Sequence, residues 1–162
     1  SPDGRQIAYT MRVPDEGTKL GKAPSRPEGA EWAKPLEVID RVTYRFDGAG
    51  YLEPGFDHIF VVSADGGAPR QVTFGDWDDG GPLSWSPDAR RIVFSANRSA
   101  DWEREINNSE VSTVDVASGA VTALTTREGP DSAPVMSPDG DLVMIDPPHY
   151  PGLIDQVRHT FR

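Results

Sequence analysis

The sequence predicts an all-β fold made of repeated antiparallel sheets, because a turn phrase, a longer segment and the turn-forming composition all point the same way. The phrase Ser-Pro-Asp begins at Ser1, Ser86 and Ser137, and each copy precedes an apolar run typical of a strand. Proline presets φ for the first corner of a turn, aspartate bonds nearby backbone, and glycine accepts a positive φ. Each copy therefore predicts a tight turn that leads into a strand.

The residues that we expect to form these turns repeat in the same order. They are Pro2, Asp3 and Gly4 in the first copy, Pro87 and Asp88 in the second, and Pro138, Asp139 and Gly140 in the third.

A longer repeat sets the period of the fold. Residues 59–73 align with residues 111–125 at a constant offset of 52, which places Gly67 on Gly119 and Thr73 on Thr125. A period of about 40 to 50 residues with four short strands is typical of a β-propeller blade. The predicted fold is therefore a partial β-propeller of about two and a half to three four-stranded antiparallel blades.

The repeats divide the chain into unequal parts. We expect a first blade at about 1–75 with an insertion at 12–57, a second blade at about 79–126, a partial third blade at about 131–145, and a non-repeat tail at 146–162. Within the insertion, alternation of apolar and polar residues at 38–44 predicts a strand. Because the chain starts inside a turn phrase, we expect it to be a piece of something longer.

Composition limits the classes of function. The 162 residues include 15 prolines and 16 glycines, which suits many turns, and carry a net charge of −10, which argues against a nucleic-acid partner. No apolar run approaches the roughly 18 residues that cross a bilayer, so no membrane partner is expected. With no cysteine there are no thiolate metal sites. We expect no cofactor and a cytoplasmic location, with the periplasm left open.

Several phrases together indicate a family. Asp40-Arg41, Gly50-Tyr51-Leu52 and residues 58–62, continued by Ala64-Asp65-Gly66-Gly67 and Trp85-Ser86-Pro87-Asp88, resemble the amino-terminal propeller of bacterial prolyl oligopeptidase-family serine peptidases. These include acylaminoacyl-peptidase and dipeptidyl-peptidase-like members, and TolB-like propellers share the turn phrase. The resemblance covers residues 1–145. It implies a propeller that caps an α/β-hydrolase domain and restricts access to small peptides.

Catalysis is not expected of this chain. Peptidases of the family use a serine framed as Gly-x-Ser-x-Gly, with an aspartate and a histidine further on. No serine here has that frame, and His58, His149 and His159 have no identifiable serine partner. We therefore predict no catalytic residue and no enzyme activity.

Two acidic segments could in principle bind a ligand. Asp76, Asp78 and Asp79 precede Gly80-Gly81 and could form a calcium loop, but the spacing is irregular and we favour a solvated turn with no metal. Glu103 and Glu105 lie in the loop of the second blade. The family resemblance implies that such loop acids can hold a substrate's amino terminus, although an ordinary exposed loop is the commoner case. Trp102 is expected to pin that loop onto the blade.

An incomplete propeller leaves apolar faces and strand edges uncovered, and such edges recruit partners. We expect a homodimer whose incomplete blades complete one another. The leading functional hypothesis is a non-catalytic fragment of a peptidase's gating propeller with an interaction or scaffolding role. The alternatives are a TolB-like protein-interaction module and the non-catalytic half of a split serine peptidase.

Overall fold

The structure, a computed structural model, describes residues 1–22, 24–31, 33, 38–126, 129–140, 142–145 and 160–161, with only the backbone described for the last two ranges. These residues form strands and turns, with no helix long and apolar enough to cross a bilayer. The strands are β1 (Gln6–Pro14), β2 (Arg45–Phe46), β3 (Gly50–Tyr51), β4 (Gly55–Ser63), β5 (Arg70–Gln71), β6 (Asp79–Trp85), β7 (Arg91–Ala96), β8 (Glu110–Asp115), β9 (Val121–Ala123), β10 (Ser132–Met136), β11 (Leu142–Ile145) and β12 (Thr160–Phe161).

Three antiparallel sheets follow one another along the chain. The first has the strand order β1-β4-β5, the second β6-β7-β8-β9 and the third β10-β11-β12, while β2 and β3 form a separate hairpin. Strands β1 and β7 each follow a Ser-Pro-Asp turn, so β1-β4-β5 corresponds to β7-β8-β9. Among the described residues, the first sheet has no strand in the position that β6 occupies in the second.

The second turn is closed by hydrogen bonds from its own serine and aspartate. Ala89 N donates to Ser86 O at 2.9 Å, and Ser86 Oγ donates to Asp88 Oδ1 at 2.5 Å. Asp88 Oδ1 also accepts from Arg90 N at 3.1 Å, and Ser86 Oγ accepts from Arg91 N at 2.9 Å. The serine and aspartate side chains thus satisfy backbone donors that the turn leaves without a strand partner.

The first turn uses the same kind of bonds, and the third shares the backbone bond that closes the turn. Ser1 Oγ donates to Asp3 Oδ1 at 2.6 Å, and Gly4 N donates to Ser1 O at 3.0 Å, as Gly140 N does to Ser137 O. The fourth position takes a positive φ in every copy, 70° at Gly4, 57° at Ala89 and 92° at Gly140. Ala89 therefore holds a conformation that favours glycine.

The segments related by the offset of 52 share a side-chain bond as well as a strand pairing. Ile59 N donates to Thr73 Oγ1 at 2.9 Å, and Val111 N donates to Thr125 Oγ1 at the same distance. Both threonines are buried. The two segments therefore close their outer strands in the same way.

The main core lies between the first and second sheets. Ile59, Val61 and Val72 of the first sheet cluster with the buried residues of the second, which are Ile92, Phe94, Ala96, Val114 and Val116.

The alternate residues Val93 and Val111 point to the other face of the second sheet, where Met136 of β10 packs. A sheet buried on both faces by neighbouring sheets is the arrangement of stacked propeller blades. The all-β, antiparallel propeller prediction is confirmed, while the number of blades stays a prediction.

The aromatic residues of the strands are buried to different degrees. Phe94 and Phe60 are buried, whereas Trp85 is half-buried against the core. Tyr9 is also half-buried and stacks on Phe60, with 5.9 Å between ring centroids.

The insertion differs from its predicted bounds. Strand β1 continues through Arg12 to Pro14 and β4 begins at Gly55, so both ends of the predicted insertion at 12–57 belong to strands of the first sheet. The strand predicted at 38–44 is wrong, because these residues have no ladder partner and the strand pairing begins only at Arg45. Six of these seven residues line a cavity described below.

The non-repeat tail lies mostly outside the described residues, including 146–159. Its described part is β12, which pairs with β11 through Phe161 opposite Leu142 and Thr160 opposite Val143.

Candidate functional site

A buried carboxylate organises one end of the second sheet. Asp79 begins β6 and is fully buried, and Arg98 donates to both of its oxygens, from Nε at 2.8 Å and from Nη2 at 2.7 Å. His58 Nδ1 of β4 lies 3.4 Å from Asp79 Oδ2. A paired, bidentate geometry is what makes a buried charge tolerable, so these groups fix the position of Arg98.

Aromatic rings hold the same arginine from the side. The Arg98 guanidinium lies 5.3 Å from the Trp77 ring and 5.8 Å from the Phe94 ring. Trp77 Nε1 in turn donates to Ser99 O at 3.4 Å. These contacts tie the loop at 97–109 to the entrance of β6.

Arg12, near the end of β1, is a second organising cation. Its Nη2 donates to Glu53 O at 2.8 Å and to Gly55 O at 2.9 Å, and its Nη1 lies 3.7 Å from a carboxylate oxygen of both Asp57 and Asp78. Arg12 therefore joins the end of the insertion to the first sheet and to the segment before β6.

Gly55 is required where the insertion returns to the sheet. Its φ is 135°, and a Cβ at this position would lie 2.4 Å from Val13 O. Because that oxygen is backbone and cannot move aside, only glycine fits this close approach.

The insertion encloses a cavity of about 280 Å³ against the ends of β1 and β4, which we name the insertion cavity. Its lining combines four aromatic side chains with charged ones. The lining residues are Arg12, Val38, Ile39, Asp40, Arg41, Thr43, Tyr44, Phe46, Tyr51, Leu52, Glu53, Pro54, Gly55, Asp78 and Trp102.

Arg41 and Trp102 flank one wall of this cavity. The Arg41 guanidinium lies 4.3 Å from the Phe56 ring, and Trp102 meets the same ring edge-on with centroids 5.9 Å apart. Arg41 Nη2 also lies 3.7 Å from Asp15 Oδ2. Trp102 thus attaches the loop of the second sheet to β4 of the first, a packing role close to the one expected for it.

The two predicted ammonium ligands do not line the insertion cavity. Glu105 is exposed and organises its own loop, since Oε2 accepts from Ser99 Oγ at 3.1 Å and from Asn108 Nδ2 at 3.3 Å, while its carbonyl accepts from Asn97 Nδ2 at 2.6 Å. Glu103 is half-buried and forms no hydrogen bond or ion pair with the described residues. Their role toward a substrate stays a prediction.

The acidic segment before β6 differs from the solvated turn that we favoured. Asp76 is exposed, and Asp78 Oδ1 accepts from Asp57 N at 2.8 Å, but Asp79 is buried and held by Arg98. The solvated-turn prediction is wrong for Asp79, because this residue belongs to a strand and carries a buried ion pair. Within the part of the chain that the structure describes, no three acidic or histidine side chains gather to hold a metal ion.

Of the three histidines considered for a catalytic triad, His58 lies within the described residues, and His149 and His159 lie outside them. It is buried, and its contact is with Asp79 rather than with any described serine. This environment suits a structural polar cluster and supplies no nucleophile for a triad.

Sequence reasoning missed Arg12, Arg41, Arg98 and the aromatic lining of the cavity. Arg98 stands 19 residues after Asp79. The two meet only because the sheet folds, so their spacing in the sequence does not reveal the pair.

The stacked sheets define a β-propeller segment, and we name the charged residues at their strand ends the strand-end cluster, which consists of Asp79, Arg98, His58 and Arg12. A family model described as the dipeptidyl peptidase IV (DPP IV) N-terminal region matches residues 29–146, well over half of the chain. The chain belongs to this family, and the predicted kinship with the propeller of prolyl oligopeptidase-family peptidases is confirmed.

A curated relative and two solved structures are similar to parts of the chain. The uncharacterized peptidase YuxL of Bacillus subtilis (strain 168) is 31% identical over 97 residues, which cover 60% of this chain and 14% of that protein. TolB from Acinetobacter baumannii matches with 17% identity and a TM-score of 0.44 over 63% of this chain and 23% of that one. Oligogalacturonate lyase from Vibrio parahaemolyticus matches with 13% identity and a TM-score of 0.48 over 59% and 30%. Neither structural match bears on function at these values.

Proposed function

We propose that this chain is a non-catalytic part of a peptidase's gating propeller and acts as a scaffold for the loops at one end of its sheets. The observation that carries the proposal is that the arginines of the strand-end cluster already bond to groups of the protein itself. Arg98 donates two hydrogen bonds to Asp79, and Arg12 donates to the carbonyls of Glu53 and Gly55.

Family membership supports this role. The matched region is the N-terminal region of a peptidase family, and the chain spans 14% of its peptidase relative. A peptidase of this kind also needs a Gly-x-Ser-x-Gly serine, and the chain has none. In a longer parent, an α/β-hydrolase domain would supply that serine, and the propeller segment would limit what reaches it.

Purified chain incubated with aminoacyl- and dipeptidyl-nitroanilides tests the proposal. We expect release of nitroaniline at the rate of the buffer blank, and no serine labelled by a fluorophosphonate probe. A serine hydrolase assayed in parallel shows that both probes work. Turnover that co-purifies with the chain, together with labelling of one of its serines, would contradict the proposal.

A further inference from the structure

Negative charge exceeds positive charge around the insertion cavity. Its lining holds three carboxylates against two guanidinium groups. Both guanidinium groups already have acidic neighbours. Arg12 Nη1 lies 3.7 Å from a carboxylate oxygen of both Asp57 and Asp78, and Arg41 Nη2 lies 3.7 Å from Asp15 Oδ2. Because Asp15 and Asp57 lie outside the lining, they raise the number of carboxylates around these two cations to five, and such a cleft attracts a further cation.

Glu53 is a lining carboxylate that is open to a ligand. Its two acidic neighbours in the lining are engaged, since Asp40 Oδ2 accepts from Thr18 Oγ1. Asp78 Oδ1 accepts from Asp57 N at 2.8 Å. The Glu53 side chain is exposed and forms no hydrogen bond or ion pair with the described residues. A carboxylate in this state accepts two parallel N–H bonds from a planar guanidinium.

Aromatic rings of the cavity provide surfaces for a flat cation. The ring centroids of Tyr44 and Tyr51 lie 6.1 Å apart, with the ring planes inclined by 31°. The two residues are 43% and 54% exposed, so part of each ring is open to a ligand. Arg41, in the same lining, already stacks 4.3 Å from the Phe56 ring. A guanidinium within about 6 Å of a ring centroid is stabilised by the ring's charge distribution.

The polar atoms beside these rings favour a cation that donates hydrogen bonds. The hydroxyl groups of Tyr44 and Tyr51 form no hydrogen bond within the part of the chain that the structure describes. Both can accept from a ligand, as the Glu53 carboxylate can. A quaternary ammonium has no N–H to donate, whereas a guanidinium has five. The cavity therefore suits a guanidinium better than a methylated ammonium.

The volume of the insertion cavity limits its ligand to a single side chain. At about 280 Å³, it lies just below the range of roughly 300 to 1,000 Å³ that holds drug-sized ligands. We propose that the insertion cavity binds the arginine side chain of a peptide, with Glu53 accepting from the guanidinium and the rings of Tyr44 and Tyr51 stacking on it. The peptide origin of the ligand rests on the proposed role in a peptidase's gating propeller.

Blocked peptides test this proposal on the wild-type chain. The arginine of N-acetyl-Ala-Arg-Ala-amide is its only charged group, and citrulline in the same place keeps the shape but removes the charge. The peptides are titrated into isotope-labelled chain, and binding is followed by nuclear magnetic resonance. We expect saturable shifts with the arginine peptide and affinities about tenfold lower or less with the citrulline and lysine peptides.

Glu53→Gln removes the proposed partner of the guanidinium while keeping the length of the side chain. We expect it to bind the arginine peptide about tenfold more weakly than wild type, because a charge-assisted pair of bonds is lost. The matched control is Glu28→Gln, which removes an exposed carboxylate outside the lining that has no hydrogen bond to the described residues. We expect this control to keep the wild-type affinity.

Several outcomes would overturn the proposal, and the peptide comparisons decide even if a variant fails to fold. Absence of saturable shifts with the arginine peptide would remove the site, and equal binding of the citrulline or lysine peptide would show that no guanidinium is selected. Ala-Ala-Ala-amide, whose only charge is its amino terminus, would indicate a terminal-amine site if it bound as tightly.

Equal losses of affinity in Glu53→Gln and Glu28→Gln would also overturn the proposal, because they would reflect net charge rather than a contact at Glu53. The proposed non-catalytic role fails separately, since the nitroanilide assay measures hydrolysis and the titration measures binding.

Discussion

At the scale of single residues, the turn aspartates are the most repeated device in the chain. The bond from Ser86 Oγ, and then the bond from Arg90 N, hold the pKa of Asp88 below its usual value. The Ser1 hydroxyl and Arg5 N lower the pKa of Asp3 in the same way, and the Ser137 hydroxyl lowers that of Asp139. Bonds to the charged form favour it, so each folded turn prefers an ionised aspartate.

This preference makes the stability of the fold depend on pH. Because the folded pKa is depressed, the contribution is fully present above the unfolded pKa of about 3.9 and is lost as the pH falls through the folded value. We expect Asp88→Asn to lower the urea midpoint at pH 7, and the gap from wild type to shrink below about pH 4.

Asp47→Asn is the control, since Asp47 makes no side-chain hydrogen bond among the described residues. We expect its urea midpoint at pH 7 to stay close to that of wild type. A gap for Asp88→Asn that is insensitive to pH would contradict the role given to the turn aspartates.

Sequence alone could predict these turns, because Ser, Pro, Asp and Gly act on their own backbone within a few residues. It could also predict that the fourth position needs a positive φ, which Ala89 adopts at 57° without the help of glycine. Local chemistry of this kind does not depend on the rest of the fold.

At the scale of elements, the ends of the strands depend on contacts that the sequence hides. The Gly-rich stretch after Asp79 suggests a turn exposed to water, yet β7 and the loop after it bring Arg98 onto the buried carboxylate. The alternation at 38–44 suggests a strand, yet a strand needs a partner, and Ile39 and Arg41 line the insertion cavity instead. Both predictions failed where a long-range contact outweighed a local pattern.

Arg98→Met tests the strand-end cluster. The change leaves the Asp79 carboxylate buried without its bidentate partner, and we expect a loss of about 3–5 kcal/mol in the free energy of unfolding measured in urea. Arg98→Lys should recover only part of this loss, because an ammonium cannot form the two parallel bonds.

The control replaces an arginine whose ion pair is exposed. Arg104 lies 3.3 Å from Asp101, and both side chains are mostly exposed, so Arg104→Met should cost less than about 1 kcal/mol. Equal losses for the two variants would show that the Asp79 pair has no special role.

At the scale of the whole molecule, repetition made the architecture predictable from the sequence. The offset of 52 predicted that residues 59–73 and 111–125 share a conformation, and the matching threonine bonds of Thr73 and Thr125 show that they do. The same repetition could not predict the insertion cavity, because the insertion occurs in one unit and has no second copy to compare.

The face-to-face packing of the first two sheets is the claim on which the propeller architecture and the proposed scaffold role depend. In it, Ile59, Val61 and Val72 share one core with Ile92, Val114 and Val116.

The most direct measurement is a nuclear Overhauser spectrum of the chain with its isoleucine and valine methyl groups labelled. We expect cross-peaks that join methyl groups of the first sheet to methyl groups of the second. Cross-peaks confined within each sheet, in a chain that is otherwise folded, would contradict the stacked-blade account.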